Sequence, residues 1–278
     1  MLRFVGIPQS AALCASRIGR CWMIRSNSTT EKLFRNAGVA EGMSILELGC
    51  GPGEVSELLS DMVGPDGQVV AVDQNRDMLA AATSRLDGKR NVRFTCGDLN
   101  GDIQFMDVME HGTFDAIVGR RVLMYLSNPA QVLSRLLPWL RDSRLVIFEE
   151  VDSSICPGHV ADMPAHVQAT LLLDRMLRQE GVDRSIGFHL PAIFLTAGLQ
   201  YERIWAEAII EGQGDQYMLD ELLELLKPRL VSSGVVRASE IDSLKSQIVS
   251  ERSAQNVFLS SMRFCAKAVK GNGPTAGA

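Results

Sequence analysis

An acid and three alternating glycines occupy residues 47–53, and this spacing suits a loop that binds a ligand through its backbone. Glu47 stands two positions before Gly49, and Gly51 and Gly53 follow at alternate positions. Because glycine has no Cβ atom, it adopts positive φ readily and lets a ligand lie against the main chain. Apolar residues on both sides of the glycines predict a buried strand, a tight turn and a helix.

The position of the third glycine separates two classes of ligand. A dinucleotide-binding loop has the pattern G-x-G-x-x-G and places a pyrophosphate at the start of the helix. After Gly49 and Gly51 that pattern needs glycine at position 54, where the sequence has Glu54. A carboxylate would repel a pyrophosphate, and Glu47 is better suited to a ligand with positive charge. A nicotinamide-dependent oxidoreductase is therefore the weaker interpretation.

A second acid follows the next predicted strand. Residues 67–72 are small and β-branched apolar residues, typical of a strand buried on both faces of a parallel sheet, and Asp73 follows them. A carboxylate at this place can accept hydrogen bonds from both ribose hydroxyls of an adenosine. Further strands are predicted at 92–96, 114–119 and 144–150, with helices at 78–86 and 129–140. This alternation indicates an α/β fold with a doubly wound parallel sheet.

Four motifs follow one another at spacings found in a known family. They lie at residues 47–53, 72–79, 97–99 and 114–126. Together they resemble the class I S-adenosylmethionine-dependent methyltransferases over residues 32 to about 150. The resemblance implies a mostly parallel seven-stranded sheet of the Rossmann-like methyltransferase fold, with an N-terminal helical lid and a helical insertion before the last strand. Residues 185–199 are similar to a branch of the family that acts on small molecules.

The resemblance also implies contacts at the methionine end of the cofactor, S-adenosyl-L-methionine. The three glycines of the loop would form the floor under the methionine part, with Glu47 beneath the loop near the amino group. Gly119 would offer its carbonyl to the ammonium group. Arg120 would begin the wall that faces the substrate.

At the nucleoside end, the resemblance implies that Asp73 binds the ribose hydroxyls. Gln74 and Met78 would border the ribose and adenine. Asp98 would accept from the adenine amino group, with the Leu99 amide close to the ring, although Asp98 could instead cap a turn. The complete set of implied cofactor-binding residues is Glu47, Gly49, Cys50, Gly51, Gly53, Asp73, Gln74, Met78, Gly97, Asp98, Leu99, Gly119 and Arg120.

The general base is open, because a thiolate acceptor needs none and a phenol, alcohol or protonated amine does. Glu149 and Glu150 end an apolar strand, so one carboxylate could face the cleft where the methyl group is presented; capping or solvent exposure is the alternative. His159 and His166 follow that strand, where ligands of α/β folds often bind. His189, flanked by Phe188 and Leu190 ahead of Pro191, is interpreted as structural.

The predicted function is transfer of a methyl group from S-adenosylmethionine to a small organic acceptor. The alternative is a methyltransferase-like binding or regulatory subunit without turnover. The glycine loop and both acids favour an enzyme, although they require only binding. The identity of the acceptor atom stays open among oxygen, nitrogen, carbon and sulfur.

Composition narrows the class of protein. The chain has 278 residues, a net charge of −5 and 46% apolar residues, without a run of Lys and Arg. Nucleic acid is therefore not expected as the main partner, since it would call for a basic face. The six cysteines form no C-x-x-C pair, so neither a metal site nor a disulfide framework is predicted. No apolar run is long enough to span a bilayer, and a cytoplasmic location is the default.

The predicted segments are a leader and lid helix at 1–30, a methyltransferase domain at 31–270 and a flexible tail at 271–278. Within the domain, an amphipathic helical insertion at about 212–253 is interpreted as a packed flap, a substrate lid or a homodimer face. The first 30 residues contain arginines and no acid, which leaves mitochondrial targeting as an alternative.

Overall fold

A computed structural model describes residues 29–101, 112–154, 162–211, 219–252 and 257–271. The predictions for the leader and lid, for His159 and for the tail from residue 272 lie outside these residues. So do the ends of the predicted insertion. In the described part of the chain, no helix is both long and apolar enough to cross a membrane.

The described residues contain a seven-stranded sheet in the order β3-β2-β1-β4-β5-β7-β6. The strands are β1 (Ser44–Leu48), β2 (Gln68–Asp73), β3 (Val92–Cys96), β4 (Phe114–Arg120), β5 (Leu140–Asp152), β6 (Leu199–Glu211) and β7 (Phe258–Lys270). Strand β1 pairs in parallel with β2 and β4, β2 with β3, and β4 with β5. The predicted doubly wound, mostly parallel sheet is confirmed.

Among the described residues, one helix precedes β1 and the others lie in connections between strands. They are α1 (29–37), α2 (Glu54–Val63), α3 (Arg76–Arg85), α4 (Pro129–Leu136), α5 (Pro164–Gln179), α6 (Ile186–Thr196), α7 (Leu219–Ser232) and α8 (Ala238–Arg252). Asn75 caps α3, because its side chain accepts from the backbone N–H groups of Asp77 and Met78. Helices α7 and α8 stand between the last two strands, as the predicted insertion requires.

The predicted bounds of the fifth strand and of the helix before it were wrong. The fifth strand begins at Leu140 rather than at residue 144 and ends at Asp152. The helix predicted at 129–140 ends at Leu136 and gives way to a single 3₁₀ turn, Leu137–Trp139. Pro138 lacks the N–H group that would continue an α-helix.

The described residues divide into two compact units. The sheet unit takes its described residues from 27–150, 186–205 and 264–278, and the helical unit from 151–185 and 206–263. In the sheet unit, β1 is buried along its whole length, and β2 and β4 are buried except at their ends. Apolar residues of both faces therefore lie in the core, which matches the continuous apolar runs of these strands.

The helical unit has a hydrophobic core of its own. It combines Met163, just before α5, and Phe258 of β7 with residues of α5, α7 and α8. The helical members are Ala165, Ala169, Leu172, Met176, Leu219, Leu223, Leu230, Ile241, Leu244 and Ile248. The amphipathic stripe of the insertion is thus buried against α5. The packed flap is the interpretation that these contacts support.

Candidate functional site

The glycine loop between β1 and α2 has the backbone that its sequence predicts. Gly49, Gly51 and Gly53 have φ values of +66°, +52° and +82°. The N–H groups of Gly49 and Cys50 donate to the Val72 carbonyl over 2.8 and 3.1 Å, which ties the loop to the end of β2. All three glycines occupy a region that residues with a Cβ atom seldom enter. The turn therefore needs glycine at each alternate position.

The three glycines differ in what surrounds them. A Cβ atom on Gly49 would lie 2.6 Å from Val122 Cγ2, and one on Gly53 would lie 2.9 Å from the Ala82 Cβ. A Cβ atom on Gly51 would meet nothing within 4 Å. Gly49 and Gly53 thus allow close packing inside the protein, whereas Gly51 presents bare backbone to free space.

Asp73 stands at the end of β2 and holds this loop. Its Oδ2 accepts from the Gly51 N–H over 2.8 Å, and its Oδ1 accepts from the Asn75 N–H over 2.8 Å. A carboxylate oxygen can accept more than one hydrogen bond, so both oxygens keep acceptor capacity. The predicted ribose acid and the predicted glycine loop are therefore brought together.

Glu47 lies beneath the loop at the end of β1. Its side chain is buried and accepts from Ser56 Oγ over 2.6 Å. Burial raises its pKa to about 7, against the lowering effects of the Ser56 hydrogen bond and the Arg120 charge. An ionised Glu47 would be stabilised by a cation nearby.

Arg120, at the end of β4, is also buried. Its guanidinium pairs with Glu54 over 2.8 Å, and Nη1 lies 3.5 Å from Thr30 Oγ1. Burial lowers the pKa of Arg120, although Glu54 and Glu149 partly offset this. The pair joins the C-terminal end of β4 to the first turn of α2. In the sequence, Glu54 served only as evidence against a pyrophosphate ligand. The structure gives it a second role, as the partner of Arg120.

The two candidate acids of β5 bind protein groups. Glu149 Oε2 accepts from Thr30 Oγ1 over 2.8 Å. Glu150 Oε1 accepts from the backbone N–H groups of Val122 and Leu123 over 3.1 and 2.8 Å. Both side chains are buried. Each carboxylate therefore has a structural role, and a catalytic role for either stays a prediction.

A family model described as a methyltransferase domain matches residues 40–213 of the chain. That range covers the loop, both predicted acids and β1 to β6. The chain belongs to this methyltransferase family.

Relatives of this chain are similar to it over parts of their length. A protein of transposon TN4556 from Streptomyces fradiae, described as an uncharacterized 37.1 kDa protein, is 28% identical over 71% of this chain and 55% of its own length. The malonyl-[acyl-carrier protein] O-methyltransferase of Bacillus cereus is 36% identical over 37% of this chain and 36% of its own length. The chain therefore spans about half, or less, of the curated methyltransferases and other relatives it matches.

Solved structures of methyltransferases and related proteins share the fold. A cyclopropane-fatty-acyl-phospholipid synthase-like protein from Lactobacillus casei has 18% identity and a TM-score of 0.58, over 95% of this chain and 94% of that one. Phosphoethanolamine N-methyltransferase 2 from Haemonchus contortus, solved with S-adenosyl-L-methionine, has 17% identity and a TM-score of 0.54. The match covers 88% of this chain and 53% of that one.

The implied contacts at the nucleoside end of this methyltransferase domain stay predictions. Gln74 and Asp98 are exposed, Met78 is half-buried and Leu99 is buried. Asp98 Oδ1 accepts from the Asn100 N–H over 2.9 Å, so Asp98 does cap a turn, as the alternative interpretation had it. An exposed carboxylate in such a turn still has an oxygen to offer to an adenine amino group.

Sequence reasoning missed Val122, Asn75 and Ser56, which position the loop and its acids. Asn75 alone had a local signal, because Asn before a helical segment is a common N-cap. Nothing in the spacing of Val122 or Ser56 marks them. Among the described residues, no group of three or more His, Cys, Asp and Glu side chains could hold a metal ion.

Proposed function

We propose that this chain binds S-adenosyl-L-methionine at the glycine loop and transfers its methyl group to a small organic acceptor. The observation that carries the proposal is the combination of bare backbone at Gly51 with the Asp73 carboxylate that accepts from its N–H group. A nucleoside could lie against the Gly51 backbone while its ribose hydroxyls donate to the Asp73 carboxylate.

The charges around the loop favour a cationic ligand. Glu47 and Asp73 lie at adjoining strand ends, and the Asp73 charge helps to raise the pKa of Glu47. The Arg120 charge near them is already paired with Glu54. Acids therefore predominate close to the loop, which suits a ligand that carries an ammonium and a sulfonium and opposes a pyrophosphate.

The residues that would hold the cofactor are the three loop glycines, Asp73 and, beneath them, Glu47. When bound, the cofactor supplies an electrophilic methyl group on a positively charged sulfur. The protein then has to orient the acceptor and exclude water, which in favourable cases is worth about 7–11 kcal/mol. Glu149 and Glu150 accept hydrogen bonds from the protein, neither is assigned as a base, and the acceptor atom stays open.

The class of acceptor follows from the relatives and from the charge of the chain. Two bacterial relatives are described as malonyl-[acyl-carrier protein] O-methyltransferase and demethylmenaquinone methyltransferase. A net charge of −5 argues against a nucleic acid substrate. These points support a small organic molecule, free or attached to a carrier.

Calorimetric titration with S-adenosylhomocysteine, and separately with NADH, tests the binding part of the proposal. Gly51→Ala would place a methyl group where we expect the ligand, so it should weaken binding by about tenfold or more. Gly42→Ala is the matched control. Gly42 also has positive φ and open space around it, but it precedes β1 at the opposite end of the strand.

Binding of NADH in place of S-adenosylhomocysteine would contradict the proposal. So would equal losses in Gly51→Ala and Gly42→Ala, because strain alone would then explain them. Transfer of a labelled methyl group into a metabolite extract tests turnover. Binding without any transfer would favour the regulatory subunit instead.

A further inference from the structure

The turn after β4 has a strained backbone. Arg121 has φ of +54°, in the left-handed region that residues with a Cβ atom seldom adopt. Its N–H group donates to the Glu149 carbonyl over 2.8 Å, and the N–H groups of Val122 and Leu123 donate to the Glu150 carboxylate. A strained conformation persists where the surroundings hold it in place. These hydrogen bonds are such a restraint.

Glu150 provides two of these bonds from a fully buried position. Its Oε1 accepts both backbone N–H groups, and its Oε2 has no hydrogen-bond partner among the described residues. Burial raises its pKa to about 8, although the backbone N–H groups act in the opposite direction. In either protonation state the carboxyl group can accept the two hydrogen bonds that fix the turn.

Val122 connects this turn to the glycine loop. A Cβ atom on Gly49 would lie 2.6 Å from Val122 Cγ2, and one on Gly119 would lie 2.7 Å from Val122 Cγ1. Gly49 follows the last residue of β1, and Gly119 lies one residue before the end of the neighbouring β4, where it is the register partner of Leu48. The Val122 side chain therefore fills the space that both glycines leave. If its backbone moved, the packing beside Gly49 would be lost.

We infer that Glu150 is a positioning residue, which holds the turn 121–123 and, through Val122, keeps the glycine loop in the conformation that binds the cofactor. The inference rests on the proposed function for the identity of the ligand, whereas its geometry is independent of that function. Glu150 then acts on binding without touching the cofactor or the acceptor.

Two substitutions at Glu150 test the inference. Glu150→Ala leaves two buried N–H groups without their acceptor, so the Kd for S-adenosylhomocysteine should rise by about tenfold or more. Amide hydrogen exchange at residues 121–125 should become faster. Glu150→Gln keeps an oxygen acceptor in a side chain of the same shape, and both properties should return to within about threefold of the wild-type values.

Val122→Ala tests the connection to the loop. It leaves the turn and its hydrogen bonds in place but removes the side chain that fills the space beside Gly49. It should also weaken binding, and the Kd of the Glu150→Ala/Val122→Ala double variant should rise by less than the product of the two single effects. If Glu150→Ala does not fold, near wild-type affinity in Glu150→Gln together with reduced affinity in Val122→Ala still supports the inference. Reduced affinity in Glu150→Gln together with wild-type affinity in Val122→Ala overturns it.

Asp115→Ala is the matched control. Asp115 is also a buried acid that accepts from a backbone N–H group, that of Ser44 over 3.0 Å, but it lies at the start of β4 instead of the end. It should lower the thermal midpoint and change the Kd by less than about twofold.

Unchanged amide exchange at 121–125 in Glu150→Ala overturns the inference, even if the wild-type protein fails to bind S-adenosylhomocysteine. Failure of the wild type to bind would instead overturn the proposed function. Equal losses in Glu150→Ala and Glu150→Gln would also contradict the inference, because the carboxyl group itself would then be required.

Discussion

At the scale of single residues, the acid at the end of β2 has two roles. Asp73 accepts from Gly51 and Asn75, so it holds the loop before any ligand is present. The same carboxylate is the predicted acceptor for the ribose hydroxyls. Its removal should therefore affect both the loop and the ligand.

We expect Asp73→Ala to raise the Kd for S-adenosylhomocysteine by more than about tenfold, since the variant removes the acceptor of the loop N–H groups and of the expected ribose hydroxyls. Calorimetric titration measures this effect. Asp77→Ala is the control, because Asp77 is an exposed acid in the first turn of α3. An unchanged Kd in Asp73→Ala would show that the ribose assignment is wrong.

Glu47 makes stability depend on pH. Burial raises its pKa from 4.5, the ordinary value for a glutamate, to about 7, so the folded protein binds more protons than the unfolded chain between these values. The protonated Glu47 side chain is tolerated in the buried site, so its contribution to the stability of the folded state is present in full below about pH 4.5. That contribution is lost as the carboxyl group ionises and the pH rises through about 7. The wild-type free energy of unfolding should fall by up to about 3 kcal/mol over this range, and Glu47→Gln should remove most of that fall.

Urea denaturation at a series of pH values measures the difference. Glu57→Gln serves as the control, because the Glu57 side chain on the neighbouring helix α2 is 45% exposed. The assignment fails if Glu47→Gln keeps the wild-type pH dependence.

At the scale of elements, a buried ion pair joins β4 to α2. The Arg120 and Glu54 side chains are 6% and 14% exposed, so both charges are largely removed from water. Removal of one charge would leave the other buried without this partner, which typically costs about 3–5 kcal/mol. Removal of both charges costs much less when the replacements pack well.

We expect Arg120→Leu to lower the free energy of unfolding by about 3 kcal/mol or more, and Arg120→Leu/Glu54→Leu to recover part of that loss. Urea denaturation of the two variants decides this. Lys89→Leu, which breaks the exposed pair with Asp61, should cost less than about 1 kcal/mol. A double variant that is less stable than Arg120→Leu would argue against the buried pair.

At the scale of the whole molecule, a buried polar cluster joins distant segments of the helical unit. His166 Nδ1 lies 2.6 Å from Glu251 Oε2, and its Nε2 lies 3.5 Å from Glu211 Oε1. Glu251 also accepts from the Ala165 N–H group, and Arg252 pairs with Glu211 and Asp220. The described contacts of His166 are thus structural, and a direct role in the reaction has no support from them.

Burial lowers the pKa of His166, but the hydrogen bonds and charges of Glu211 and Glu251 outweigh it, and the net pKa is raised. Its stabilisation is therefore present below about pH 6.5 and is lost as the pH rises through the higher pKa of the folded protein. We expect His166→Gln to be less stable than wild type below about pH 6.5. As the pH rises above that value, the free energy of unfolding should fall less in His166→Gln than in wild type.

Denaturation between about pH 6 and pH 9 tests this expectation. His189→Gln is the matched control, since His189 is exposed on α6. Parallel pH profiles for wild type and His166→Gln would contradict the role assigned to the cluster. A substrate lid or homodimer face formed by α7 and α8 stays a prediction.

The sequence by itself determined the local geometry of the site. Three positions need positive φ and all three are glycine, because a Cβ atom disfavours that conformation wherever the chain lies. The runs of apolar residues marked the central strands. Because these strands are buried on both faces, their residues are apolar at successive positions and do not alternate with polar ones. Asp73 was predictable because it directly follows the apolar run of β2, which places it at the carboxyl end of that strand.

Only the tertiary structure decided which distant residues support that geometry. Val122 packs beside Gly49, Glu150 holds the turn at 121–123, and α5 joins α7 and α8 in one core. His166 meets Glu251 across 85 residues of sequence. Such contacts depend on strand register and on the packing of whole elements, which no spacing of a few residues encodes. Local conformational preference therefore explains what the sequence revealed, and long-range packing explains what it did not.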